Sequence, residues 1–283
     1  MDMATRYVLS LSCPDAPGIV HAVSGAIASV NGNITESQQF GASDTGKFFM
    51  RVELEAQGSE QALRDALAPA TERFGLDWNL DHAARPMRTI VMVSTAEHCL
   101  GDLLYRERAG VLPIEIVAVV GNHSTLKPIA DFYGKAFVHI PVSAETKDAA
   151  EAALLALVEE RDVELVVLAR YMQILSPTLV DALRGRAINI HHSFLPSFKG
   201  ARPYFQAHDR GVKLIGATAH YVTSELDEGP IIEQDVERVD HADTPEALTA
   251  IGADVERRAL AKAVRWHAEH RVLLDGRRTI VFR

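Results

Sequence analysis

Cysteine is scarce in this chain of 283 residues: only Cys13 and Cys99 occur, far apart and in neither a CxxC nor a Cys/His spacing. That excludes a disulfide framework and a thiolate metal cluster, and it predicts reduced, packed thiols in a cytoplasmic protein. Clustered positive charge is missing as well. Lys and Arg total 29 against 38 Asp and Glu, for a net charge of −9, and no basic block is present to follow a phosphate backbone. Nucleic acid is therefore not an expected partner. No apolar run is long enough to span a membrane, and Met1-Asp-Met-Ala-Thr-Arg-Tyr7 is too polar for the core of a signal peptide, so no membrane association is expected. What remains is a soluble, globular composition without repeats, in a length that admits one large domain or two ordinary ones.

The hydrophobic pattern favours two domains. Residues 1–84 read as β-α-β-β-α-β, with strands near 7–13, 33–40, 47–55 and 76–81 and helices near 19–30 and 59–74. Ile19, Val20, Val23, Ile27 and Val30 recur at three- and four-residue spacing, and Asn31-Gly32 supplies a C-terminal stop. Asp81-His-Ala-Ala-Arg-Pro86 breaks the periodicity and marks a boundary, so the second domain is expected over 85–283. Beyond the boundary strands alternate with longer helices, the pattern of a doubly wound parallel sheet. A further strand is expected at 231–238 and a long helix at 244–270.

The chemistry concentrates in Ala187-Ile-Asn-Ile-His-His-Ser-Phe-Leu-Pro-Ser-Phe-Lys-Gly-Ala-Arg-Pro203, a short apolar strand that runs into a loop. Side chains alternate along a strand, so Asn189 and His191 share a face about 6 to 7 Å apart while Ile188 and Ile190 point into packing. An amide and an imidazole at the carboxyl end of a parallel strand suit the polarisation of a carbonyl oxygen. His192 follows directly and, on a continuing strand, would face the other way. Two other strand-to-loop segments add candidates: Leu165-Val-Val-Leu-Ala-Arg-Tyr-Met-Gln-Ile-Leu-Ser-Pro177, and Gly216-Ala-Thr-Ala-His-Tyr-Val-Thr-Ser-Glu-Leu-Asp-Glu-Gly-Pro230.

A strand ending Asn-x-His followed by a Leu-Asp-x-Gly-Pro loop resembles the folate-dependent formyltransferase family over residues 88–283. The runs His98-Cys-Leu-Gly-Asp-Leu-Leu104, Gly121-Asn-His123, Ala169-Arg-Tyr-Met-Gln173 and His191-His-Ser-Phe-Leu-Pro196 are most similar to its deformylase branch. The resemblance implies a Rossmann-like domain that hydrolyses 10-formyltetrahydrofolate, as substrate and not as cofactor, to tetrahydrofolate and formate for purine synthesis and one-carbon balance. It assigns Asn189 to hold the formyl oxygen, His191 to stabilise its developing charge, and Asp227 to order and activate water. It places the folate against Met172, Gln173, Ile174 and Leu175 and the loop from Thr223, with His220 beside it. Relatives that transfer the formyl group often carry Arg where this chain has Gln173.

The first 84 residues resemble a ferredoxin-like ACT domain. That implies a homo-oligomer, dimer or tetramer, and an effector such as glycine or methionine at Asp15, Gly18 and Ile19, where a free helix N-terminus suits a carboxylate. Three other readings compete. A glycinamide ribonucleotide formyltransferase would need a glycine-rich turn for phosphate after the first strand of the large domain. Here Ser94-Thr-Ala-Glu-His-Cys-Leu-Gly101 carries Glu97 there, with its glycine late. A metal hydrolase on His191, His220 and Asp227 lacks a ligand-spacing signature, and no metal is expected. A non-catalytic amino-acid sensor would leave the Asn, His and Asp set without a use.

Overall fold

A computed structural model describes residues 4–195 and 203–283, so the part of the organising stretch at 196–202 lies outside the described residues. The chain divides into two compact units: residues 1–85 with 269–275 and 279–283, and residues 86–268 with 276–278.

The first unit runs β1 (Thr5–Pro14), α1 (Ile19–Ser29), β2 (Asn33–Ala42), β3 (Lys47–Ala56), α2 (Glu60–Phe74) and β4 (Asp77–His82). Its sheet is antiparallel in the order β2-β3-β1-β4. The spacing that predicts the first helix also builds the core: Ile19, Val23 and Ile27 pack with Leu9, Leu11, Val52 and Leu54 of the sheet. Ser59 caps α2, its Oγ accepting from the Ala62 N–H, and Gly75 closes that helix in left-handed backbone at φ 64°.

The second unit continues with β5 (Met87–Val93), α3 (His98–Arg108), β6 (Ile114–Gly121), α4 (Lys127–Phe132), β7 (Phe137–His139), α5 (Lys147–Glu160) and β8 (Leu165–Leu168). After these come α6 (Pro177–Ala182), β9 (Ala187–His191), α7 (Pro203–Asp209), β10 (Leu214–Tyr221), β11 (Ile231–Arg238) and α8 (Pro245–Ala268). The sheet order is β11-β10-β9-β8-β5-β6-β7. Strands β5 to β9 pair in parallel, whereas β10 is antiparallel to both β9 and β11. The fold is therefore the expected α/β one with a mostly parallel sheet. The strand order reverses between β5 and β8, and a crevice at such a switch point, outside the strand carboxyl ends, is where open α/β sheets bind ligands. Among the described residues, no helix is long and apolar enough to cross a membrane.

The chain end departs from a second domain running to residue 283. A hairpin of β12 (Val272–Asp275) and β13 (Arg278–Val281) follows α8, and most of this tail groups with the first unit. Phe282 packs with Ala42 and Phe49, and Arg271 pairs with Glu36 at 3.3 Å. Burial of Phe282 against that sheet is the physical reason for the difference.

Candidate active site

Strand β9 buries Ile188 and Ile190 and ends at His191, which leaves Asn189 and His191 on the shared face. The antiparallel turn of β10 then sets His220 directly opposite Asn189 in the ladder. His220 Nδ1 lies 2.9 Å from the Tyr221 carbonyl oxygen, and Nε2 lies 3.3 Å from Asn189 Nδ2. A carbonyl only accepts, so Nδ1 carries the proton and Nε2 accepts from the Asn189 amide. His220 is thus a neutral ring that orients the amide, and burial holds it below the ordinary histidine range.

The loop between β10 and β11 delivers Asp227 in left-handed backbone at φ 57°, a conformation that Asp tolerates better than most residues. Asp227 Oδ1 stands 3.2 Å from His191 Nδ1 and 3.9 Å from His220 Nε2. The hydrogen bond from His191 keeps the Asp227 carboxyl below its usual range against the opposing effect of burial. With Nδ1 committed to the carboxylate, the buried His191 Nε2 has no partner among the described residues. Gly229 holds the loop close, since a Cβ there would stand 1.7 Å from the Tyr221 carbonyl oxygen. No side chain fits at that position.

These groups open on a cavity of about 330 Å³ whose wall includes all five candidate substrate contacts, Met172, Gln173, Leu175, His220 and Thr223. The volume falls at the lower end of the range for small-molecule sites. Met172 and Ile174 are more than half exposed (58% and 64%), which leaves apolar surface free for an aromatic ring. The trio of Asn189, His191 and Asp227 forms part of the same wall. His192 departs from its expectation. The ladder stops at His191, so alternation no longer dictates direction, and the two rings stack with centroids 5.0 Å apart at 23°.

A second cluster borders the cavity and escaped the sequence reading. Glu256, in the middle of α8 and 1% exposed, accepts from His98 Nε2 and Tyr204 Oη at 2.7 Å each and from Arg170 Nη1 at 3.2 Å. These contacts hold its carboxyl below the usual range against strong desolvation. The signal was present: Glu256 interrupts the four-residue stripe Leu248, Gly252, Leu260 and Val264, all of which are buried. His98, Cys99 and Glu256 have donor atoms within 4.8 Å of one another, the one metal-like grouping among the described residues. It suits a cation poorly, because the Arg170 guanidinium already sits on the carboxylate and burial pushes the Cys99 thiol well up. The His191, His220 and Asp227 alternative fares no better, with both ring nitrogens of His220 engaged.

The helix start where a phosphate would bind is also occupied. Helix α3 begins at His98, which is tied to Glu256, and Ser94 Oγ accepts from the Met172 N–H at 3.0 Å. In the first unit, Gly18 precedes α1 at φ 98° without a side-chain cap. Ile19 is buried in the core at 2% exposure, so only its backbone is available to a ligand, while Asp15 remains exposed.

Comparison with known proteins agrees with this architecture. The formyl transferase family model matches residues 87–264, and the ACT domain model matches residues 7–69. A formyltetrahydrofolate deformylase of Corynebacterium sp. strain P-1 is 50% identical over 286 residues, covering 100% of both chains. The crystal structure of a formyltetrahydrofolate deformylase from Burkholderia mallei superposes with a TM-score of 0.95 at 50% identity, covering 99% of this chain and 100% of its own. A glycinamide ribonucleotide transformylase from Symbiobacterium toebii is more distant, at 33% identity and a TM-score of 0.67, covering 70% of this chain and 95% of its own.

Proposed function

Because this chain belongs to the formyltetrahydrofolate deformylase family, an ACT domain joined to a formyl transferase domain, we propose that Asn189, His191 and Asp227 carry its hydrolytic chemistry. The enzyme is a hydrolase, and formyltetrahydrofolate is its substrate. On this reading the 10-formyl group enters the cavity with its oxygen toward Asn189 and His191. Water, ordered by Asp227, adds to the formyl carbon, and charge develops on the oxygen. His191, anchored through Nδ1 to Asp227, stabilises that charge, and Asn189 donates to the same oxygen. Collapse breaks the bond from carbon to N10, the proton taken from water passes to N10, and formate and tetrahydrofolate leave. The formate would serve purine synthesis and one-carbon balance.

The observation that carries this reading is the 3.2 Å contact between Asp227 and His191 together with the unpartnered Nε2 at the cavity wall. The occupied start of α3 weighs against a phosphorylated acceptor. The test follows tetrahydrofolate and formate from 10-formyltetrahydrofolate, with and without glycinamide ribonucleotide and with a chelator. Hydrolysis is expected in every arm, and turnover that requires the amine, or that stops with the chelator, refutes it.

The ACT unit is read as the regulatory and assembling part, with a carboxylate-bearing effector such as glycine or methionine at Asp15, Gly18 and the backbone of Ile19. The edge strand β2, which pairs with β3 alone among the described residues, suits pairing with a second copy. Calorimetry with both amino acids and a measured mass in solution test these two points.

A further inference from the structure

The hydrolysis described above makes no use of the ionic cluster around Glu256, although one member, Arg170, shares the cavity wall with Asn189, His191 and Asp227. In the sheet, β8 stands between β5, which leads into α3, and β9, which carries Asn189 and His191. A second substrate held at the start of α3 would therefore have to cross the carboxyl end of β8 to reach the formyl carbon. Arg170 stands at that crossing, just past the last residue of β8. Its Nη1 reaches both Glu256 oxygens, at 3.2 and 3.3 Å, and Glu256 in turn accepts at 2.7 Å from Nε2 of His98, the first residue of α3. The main chain closes the same gap, since the Met172 N–H donates to the buried Ser94 Oγ just past β5.

Ion pairing alone does not account for this arrangement. A carboxylate as deeply buried as Glu256 is unfavourable unless it is paired and hydrogen-bonded, and His98, Tyr204 and Arg170 meet that demand. Tyr204 reaches it only because the residue one turn earlier on α8 is Gly252: a Cβ there would stand 2.1 Å from the Tyr204 ring. Arg170 takes left-handed backbone at φ 64°, which a long L side chain rarely adopts, and its Nε is buried without a partner among the described residues. Glycine would occupy that backbone without strain. A strained arginine kept in the wall of a reaction cavity points to a use for its side chain there.

Resting on the reading that the enzyme is a hydrolase, we propose that Arg170, locked by Glu256, His98 and Tyr204, determines the acceptor. It fills the crossing between the start of α3 and the formyl carbon, so that water is admitted and an amine is not. Transfer would join the amine nitrogen to the formyl carbon, break the bond from that carbon to N10 and pass one amine proton to N10. It differs from hydrolysis only in the nucleophile. Asn189, His191 and Asp227 could serve either reaction, and the choice falls to what reaches the carbon. The fold itself is no bar, since the more distant Symbiobacterium toebii chain that shares it is a glycinamide ribonucleotide transformylase.

The experiment supplies glycinamide, an amine without a phosphate, to the wild type, to Arg170→Gly, and to Arg170→Gly combined with Glu256→Gln. It measures the ratio of N-formylglycinamide to formate released from 10-formyltetrahydrofolate. The first substitution suits the left-handed backbone, and the second avoids leaving a buried carboxylate without its cation. The wild type should release formate alone, and in both variants the ratio should rise at least about tenfold above the wild-type limit, the lower bound for excluding one small group from a pocket. A merely structural Arg170 would lower both products together, and an unchanged ratio in the folded variants overturns the proposal. The wild type decides the matter even if neither variant folds: with tetrahydrofolate present, glycinamide ribonucleotide should not bind by calorimetry, and saturable binding would also overturn it. Hydrolysis is followed first without any amine. Its absence refutes the hydrolase reading, whereas amine capture by a wild type that does hydrolyse refutes this proposal alone.

Discussion

Asp227→Asn is the substitution that separates binding the formyl group from activating water. Asp227 sits at φ 57°, where Asn is as well tolerated as Asp, so the backbone of the loop has no reason to move. The new amide oxygen can still accept from His191 Nδ1 over the present 3.2 Å, and the contact changes from a charged hydrogen bond to a neutral one. The difference between those two kinds of bond is about 1 kcal/mol, which a protein of this size survives. The chemistry loses more. The variant has no base to take a proton from water and no negative charge beside His191. General acid and base groups contribute about 10² to 10⁴ in rate, so the turnover number should fall by that factor while the folate dissociation constant stays within a few fold. The assay is steady-state release of formate beside fluorescence titration of folate and a thermal melt. Near-normal turnover in a folded variant would show that the loop is structural and that water is activated elsewhere, with His191 Nε2 the next candidate.

Other perturbations test the remaining contacts. Asn189→Ala removes one donor to the oxyanion and leaves the His220 Nε2 lone pair unmatched; turnover should drop by about 10² to 10³ with little change in KM, and a change confined to KM would remove Asn189 from the oxyanion. Gly229→Ala puts a Cβ 1.7 Å from a backbone oxygen, so the loop must shift. Overpacking of that kind commonly costs about 1 to 3 kcal/mol, and paired melts and rates should show both stability and turnover reduced. Stability should also depend on pH through His192, which takes its proton near 6.5 when unfolded but only at about 4 when folded. Between those values the unfolded chain binds more protons, so stability is greatest above 6.5 and declines as pH falls, by roughly 3 kcal/mol at pH 4. Urea midpoints from pH 7 to 4.5 in the wild type and His192→Gln check this, and equal slopes in the two proteins would contradict it.

The parts of this molecule that were legible in advance depend on near neighbours in sequence. The spacing of Ile19, Val23 and Ile27 places α1, and strand alternation puts Asn189 and His191 on one face, because each pattern is set by a helix or strand period. His220 is different. Its place opposite Asn189 follows from the antiparallel pairing of β10 with β9, and no local period carries the direction of a strand 31 residues away. The C-terminal hairpin had a readable turn, Asp275-Gly276 between two apolar runs with Gly276 at φ 62°, yet its grouping with the first unit rests on contacts such as that between Phe282 and Phe49. His192 was misplaced because a rule about strands was extended one residue past the end of β9. Glu256 shows where the next search of such a sequence should begin. A carboxylate on an otherwise apolar helical stripe must be neutralised by groups from other elements, and here Arg170 and His98 come from the loop after β8 and the start of α3. Both arise at the carboxyl ends of strands flanking the switch point, so the charge on the stripe indicated, through the pairing it required, the side of the sheet on which the site was built.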